Sequence, residues 1–156
     1  FSAFIWTLIG LIPSILLTLP LFGVSIFKLG FPLLLLFLSL YIFWITLGLF
    51  VSAGLIRFGP SFENIAWSSL FLLAPLGCIY YPIEILPNFF QIIAKSLPLV
   101  YIFDEARNIL INGFINYENL KQAYYLNLIY FVFGIFLFYF SFLKARIKGT
   151  LINMGE

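Results

Sequence analysis

Polar residues are so sparse along this chain that its apolar stretches run for twenty residues and more: positions 1–27, 29–56, 64–83 and 122–143 carry no charge at all. A helix rises about 1.5 Å per residue, so about 20 apolar residues cross about 30 Å of hydrocarbon. The pattern therefore predicts membrane-spanning helices at about 1–27, 31–56, 64–82 and 119–143. A transmembrane barrel would show alternating segments of about ten residues with a polar inner face. "FPLLLLFLSLYIFWITLGLF" (31–50) shows no alternation. The expected fold is an all-α polytopic membrane protein, one transmembrane domain throughout.

The breaks between spans carry their own signals. Pro13 and Pro20 each remove a backbone donor and bend the first span. "GVSIFKLGFP" (23–32) makes a short turn from which Lys28 snorkels to the interface. In the second span Gly48 and Ser52 form a small-xxx-small pair suited to a close helix contact. "RFGPSFEN" (57–64) is a polar break: Gly59-Pro60 turns the chain, and Ser61 or Asn64 caps the next helix. Pro75 and Gly77 loosen the second half of the third span.

The 36 residues between Glu84 and Lys121 do not form another span, yet they are too apolar for an exposed loop. Asn88 is positioned to cap a helix after Pro87, with Gln91 as the reciprocal residue of a capping box. That helix directs Phe89, Ile92, Ile93 and Leu97 to one side, and Pro98 ends it. A second short helix, about 101–111, has apolar Tyr101, Ala106, Ile109 and Leu110 against polar Asp104, Glu105, Arg107 and Asn108. Asp104 and Arg107 have the spacing of an i,i+3 pair, and Asn112-Gly113 stops the helix. Two short amphipathic pieces predict a re-entrant hairpin at about 87–112, entering and leaving the membrane on one side. A pair of helices lying flat on the surface is the structural alternative.

The last span has Asn116 as its cap, Glu118 in its first turn, and Lys144, Arg146 and Lys148 clustered at its end. That cluster predicts a cytoplasmic carboxyl terminus in the cell membrane. The eight basic residues divide evenly in this orientation, with Arg57 inside alongside those three and Lys28, Lys95, Arg107 and Lys121 outside.

Composition agrees: the chain is 63% hydrophobic, with only eight basic and six acidic residues in 156. The absence of histidine excludes Ser-His-Asp triads, Cys-His pairs and His-based zinc motifs. Cys78, the single cysteine, has no partner for an internal disulfide and reads as a packing thiol. There is no GxxxxGK[ST] phosphate loop, so any ATP hydrolysis belongs to a partner. No cofactor, metal or nucleic acid is expected. The chain starts inside an apolar run without methionine or a basic leader, as a fragment of a longer protein would.

The segment "LLAPLGCIYYPIEILPNFFQIIAKSLPLVYIFDEARNIL" resembles the carboxyl-terminal part of an ABC-2 type ABC transporter permease. The similarity lies in a Gly-x-x-x-Tyr-Pro turn (Gly77, Tyr81, Pro82), a Leu-Pro (Leu86, Pro87), a Pro-Leu-x-Tyr (Pro98, Leu99, Tyr101) and the following Arg107. The basic, Gly-containing tail "KARIKGTLINMGE" is similar as well. The resemblance implies the last four of six helices, with the hairpin on the outer side before the final span. It also implies a separate ATP-binding cassette ATPase and a second permease copy as partners, besides membrane lipids. The gate would involve Tyr81, Pro82, Glu84, Pro87, Pro98, Tyr101, Asp104 and Arg107, and the ATPase contact Arg57, Ser61 and Glu63. The cargo expected is a lipophilic compound, lipid or glycan-lipid.

Residue chemistry leaves two other readings. A membrane-embedded enzyme acting on lipid-linked substrates would need paired acids; Asp104 and Glu105 are the only adjacent two, and i,i+1 spacing points them apart. A non-catalytic assembly subunit is the other. Glu84, Asp104, Glu105 and Arg107 read as paired or solvated structural charges, and Asn127 and Ser141 as bonds between helices.

Overall fold

The structure, a computed structural model, describes residue 9 and residues 30–113 and 115–148. The expected first span with Pro13 and Pro20, the turn with Lys28 and the tail beyond residue 148 lie outside the described residues. Those described form helices α1 (Gly30–Phe58), α2 (Phe62–Leu76), α3 (Asn88–Ala94), α4 (Pro98–Asn112) and α5 (Tyr117–Lys148), with a 3-10 turn at Ile83–Ile85 and no strand among them.

Two of these helices, α1 and α5, are long and apolar enough to cross a membrane. Only 22% and 17% of their most apolar windows are buried, so most of that surface faces outward, unlike a core helix of a soluble domain. α2, with 15 residues, is about 22 Å long at about 1.5 Å per residue, short of the hydrocarbon thickness. It ends at Leu76, and 77–82 continues without regular structure.

α1 and α5 pack side by side in parallel. Tyr124 Oη donates to Leu35 O at 2.8 Å, and Asn127 Nδ2 donates to Ser39 O at 2.8 Å and Ser39 Oγ at 2.9 Å. Further along, the rings of Phe50 and Phe133 lie 5.9 Å apart. Residue numbers rise together on both helices, which defines the direction. At Gly134 of α5 an added Cβ would sit 3.4 Å from Leu49 Cβ and 3.7 Å from Thr46 Cγ2. Gly48, the small residue singled out in the sequence, has nothing within 4 Å of its Cβ position. The contact thus uses a glycine of the partner helix and larger side chains of α1.

A parallel pair obliges the intervening chain to return. α2 begins at the far end of α1, where Phe58 and Phe62 stack with centroids 5.7 Å apart and the Phe62 ring covers Gly54. It finishes beside α4: a Cβ on Gly77 would stand 2.9 Å from Leu99 Cδ1 and 2.8 Å from Leu73 O. The core at this end joins three helices, with Leu36 of α1, Ile102 and Ile109 of α4 and Ala123 of α5 buried together.

α4 then runs antiparallel to α5. Glu105 is bonded to the start of α5, while Ser96 O, just before α4, accepts from Tyr130 Oη at 3.1 Å. Tyr130 follows Tyr117 by 13 residues, so the turn between α3 and α4 sits about 20 Å along α5.

Several local details differ from expectation. Pro87, with extended ψ, occupies the N-cap position of α3, and Gln91 Nε2 donates to Leu86 O at 2.7 Å instead of closing a capping box on Asn88. Proline has no donor to be capped and its φ already suits a helix start, so the boundary falls one residue early. For the same reason Pro98 opens α4 rather than closing α3. Ser61 occupies the N-cap position of α2 with helical dihedrals and makes no capping bond. Phe89, Ile92 and Ile93 are exposed while Ala94 is fully buried, so α3 packs through its small residue and leaves the large ones outward. The expected Asn116 cap is present, accepting from Glu118 N at 3.0 Å, and Gly113 ends α4 at φ 75°.

Gly77→Ala should lower thermal stability in detergent by about 1–3 kcal/mol through overpacking against Leu99. Gly48→Ala should leave it unchanged or slightly raised, since its surroundings are open. Equal effects from the two would contradict the packing described.

Candidate functional site

In the apolar surroundings of this fold, every helix end needs a partner for its free carbonyls. Two tyrosines of the Pro-rich segment supply them. Tyr81 Oη donates to Pro75 O at 2.8 Å, where the last turn of α2 opens, and Tyr101 Oη donates to Lys95 O at 3.0 Å, where α3 ends. Each phenol reaches back six residues to close its own turn. Tyr81 and Tyr101 therefore fasten the bends that Pro82 and Pro98 begin.

Charge concentrates where α4 ends and α5 starts. Arg107 Nη1 donates to Cys78 O at 2.8 Å, tying α4 to the turn after α2, and its Nη2 stands 3.5 Å from Asp104 Oδ1. The i,i+3 pair read from the sequence is thus formed, and it leaves the Asp104 side chain 43% exposed. Cys78 itself is buried at φ 51°, a left-handed conformation in which its carbonyl meets the guanidinium. A non-glycine residue held there costs about 1–3 kcal/mol of backbone strain, which the Arg107 bond helps to offset.

Glu105 is the functional-looking residue that sequence reasoning left among the paired or solvated structural charges. It is fully buried. Its Oε1 accepts from Asn116 N at 2.6 Å and its Oε2 from Asn119 Nδ2 at 3.3 Å, while the same Asn119 amide approaches Asp104 Oδ2 at 3.4 Å. A carboxylate at the amino end of α5 also meets the positive end of the helix dipole. The two adjacent acids, expected to point apart, both reach the one Asn119 amide nitrogen. A usable signal was present: Ile102, Glu105 and Ile109 share the i, i+3, i+7 stripe of an amphipathic helix, so Glu105 falls on its apolar face.

These residues border an open cleft of about 780 Å³, lined among others by Pro82, Asp104, Arg107, Asn116 and Asn119. Of the eight gate candidates, Pro82, Asp104 and Arg107 meet there. Tyr81 and Tyr101 serve the turns. Pro87 and Pro98 start helices, Pro98 buried and Pro87 exposed, and Glu84 is exposed in the 3-10 turn away from the cleft.

Arg57, Ser61 and Glu63 are exposed at the opposite end of α1. Arg57 lies 5.4 Å from the centroid of the Phe58 ring, and Glu63 Oε1 accepts from Trp67 Nε1 at 3.5 Å. Because α1 and α5 are parallel, Lys144 and Arg146 share that end. The two candidate groups are thus separated by most of α1, about 40 Å at about 1.5 Å per residue.

Comparison with protein-family models, with curated proteins and with solved structures returns no match.

Glu105→Ala should cost about 2–3 kcal/mol in thermal unfolding, because the Asn116 N–H and the Asn119 amide lose their buried acceptor. Glu105→Gln, which keeps an acceptor oxygen, should cost clearly less. Asp104→Ala, at a half-exposed side chain, should stay within about 1 kcal/mol.

Proposed function

We propose that this chain is the transmembrane permease part of an ATP-driven ABC-2 type exporter, moving a lipophilic, lipid or glycan-lipid substrate across the cell membrane. The observation that carries the reading is the parallel packing of α1 and α5 with a proline-punctuated segment folded back beside Tyr130. Parallel spans need an odd number of crossings between them. α2 contributes the return direction, and a hairpin that enters and leaves on one side adds none, in keeping with the topology that the resemblance implies.

In this reading the end bearing Arg57, Lys144 and Arg146 faces the cytoplasm, in line with the clustering of basic residues on that side of membranes. Arg57, Ser61 and Glu63 then meet a separate ATP-binding cassette ATPase, and a second permease copy completes the pathway. ATP-driven closure of the ATPase would rock the two copies, and α1, as the longest continuous link between the loop at 57–63 and the α4–α5 end, carries the movement. Arg107 and Glu105 keep the outer end of α2, α4 and α5 moving together.

Membrane-impermeant thiol labelling of single-cysteine variants in intact cells tests the topology. Cysteines replacing Asn88 and Asn112 should label from outside, whereas Ser96→Cys should label only after detergent; cytoplasmic labelling at 88 or 112 would reverse the orientation. Coexpression with the partner ATPase should give a complex that co-purifies. Arg57→Glu combined with Glu63→Lys should weaken it about tenfold, as for loss of one charge-assisted contact worth about 1.4 kcal/mol.

A further inference from the structure

The lining of the cleft between α4 and α5 carries two carboxylates, Asp104 and Glu118, against one guanidinium, Arg107. Arg107 is committed to Cys78 O and Asp104, and Glu118 is 2.9 Å from Lys121 Nζ. A phosphate or carboxylate entering the cleft would find its one guanidinium already neutralised. Beside these charges the cleft presents a set of neutral hydrogen-bonding groups.

Among the described residues, Asn116 uses its Oδ1 on Glu118 N and leaves Nδ2 without a partner; Asn119 uses Nδ2 and leaves Oδ1. Asn108 accepts from Asn112 at 2.6 Å and leaves its own Nδ2. Tyr117, 63% exposed, lines the cleft with a phenol that makes no bond to these groups, and Ile111, 78% exposed, adds an aliphatic wall. These donors and acceptors share a lining with one aromatic ring and one aliphatic surface. That combination fits a ring bearing adjacent hydroxyls on its edge and C–H groups on its faces, since each hydroxyl both donates and accepts while the faces pack on Tyr117.

From this we infer that the cleft binds a neutral, polyhydroxylated, sugar-like group. Immediately beyond it α5 turns apolar and outward-facing, with Leu128, Ile129 and Val132 exposed, so an acyl chain attached to such a headgroup would have a surface to follow. The inference deepens the export reading and rests on it for the lipid part of the ligand.

Native mass spectrometry of the full chain in detergent, titrated with digalactosyl diacylglycerol, phosphatidylcholine or phosphatidylglycerol and separately with free lactose, tests it. The galactolipid should bind in preference to both phospholipids. Asn108→Ala combined with Tyr117→Ala should weaken it about tenfold, as expected for loss of about 1.4 kcal/mol of contacts. Ile111→Trp, which fills the cleft from an exposed position and keeps every polar group, should weaken it as well. Lactose binding that is lost in both variants supports the sugar site without a lipid requirement. Equal binding of all three lipids, preference for phosphatidylglycerol, or galactolipid binding that survives both variants overturns the assignment. Failure of the ATPase to co-purify, with galactolipid binding intact, would remove the export reading and leave the sugar site standing.

Discussion

Two long helices lying side by side in one direction constrain everything between them. The contact includes polar groups in apolar surroundings, Tyr124 on Leu35 O and the buried Asn127 on Ser39, where an unmet donor would be costly. Interhelical bonds of this kind contribute modestly, about 0.6 kcal/mol on average and up to about 1.7. Their larger effect here is on register: the amide of Asn127 reaches Ser39 at only one rotation and one height of α5 against α1. Among the described residues Asn127 Oδ1 has no partner, so the contact they make is held by the donor side of that amide.

Once α1 and α5 are parallel, the chain has to come back, and the segment that does so is built from short pieces with closed ends. Proline begins α4 and precedes α3, and tyrosine hydroxyls accept the task of satisfying carbonyls where α2 and α3 stop. This division of labour suits a bilayer, where water does not reach freed backbone groups. It also accounts for a segment that is aromatic and proline-rich at once: the rings carry both the apolar surface and the hydroxyls that finish each turn.

At the junction of α4 and α5, Glu105 and Arg107 have divided roles although they lie two residues apart. Glu105 points inward and holds the first turn of α5; Arg107 points toward the turn after α2 and holds Cys78 O. Together they join three helices at one end of the molecule, beside a cleft lined by Asp104, Arg107 and Glu118 as well as by asparagine amides. At the exposed end of α1 the described contacts are local: Arg57 over the Phe58 ring and Trp67 Nε1 on Glu63.

Much of this was legible in the residues themselves. The long apolar runs specified α1 and α5, Gly113 and Asn116 marked the boundary between α4 and α5, and the i,i+3 spacing of Asp104 and Arg107 gave their pair, because each depends on local periodicity or backbone conformation. Helix starts at Pro87 and Pro98 were displaced by a residue or more, since proline serves as well at a helix start as after a helix end. Which face of a helix is buried was legible for Glu105, on one stripe with Ile102 and Ile109, but not for α3, where Phe89 and Ile92 stayed out. Burial depends on the neighbour that arrives, and only the tertiary structure decides that Asn116 and Asn119 of α5 come to rest on Glu105. Local sequence determines where helices form. The direction in which α1 and α5 lie, and the cleft they leave, follow from contacts between residues almost ninety positions apart, as with Ser39 and Asn127.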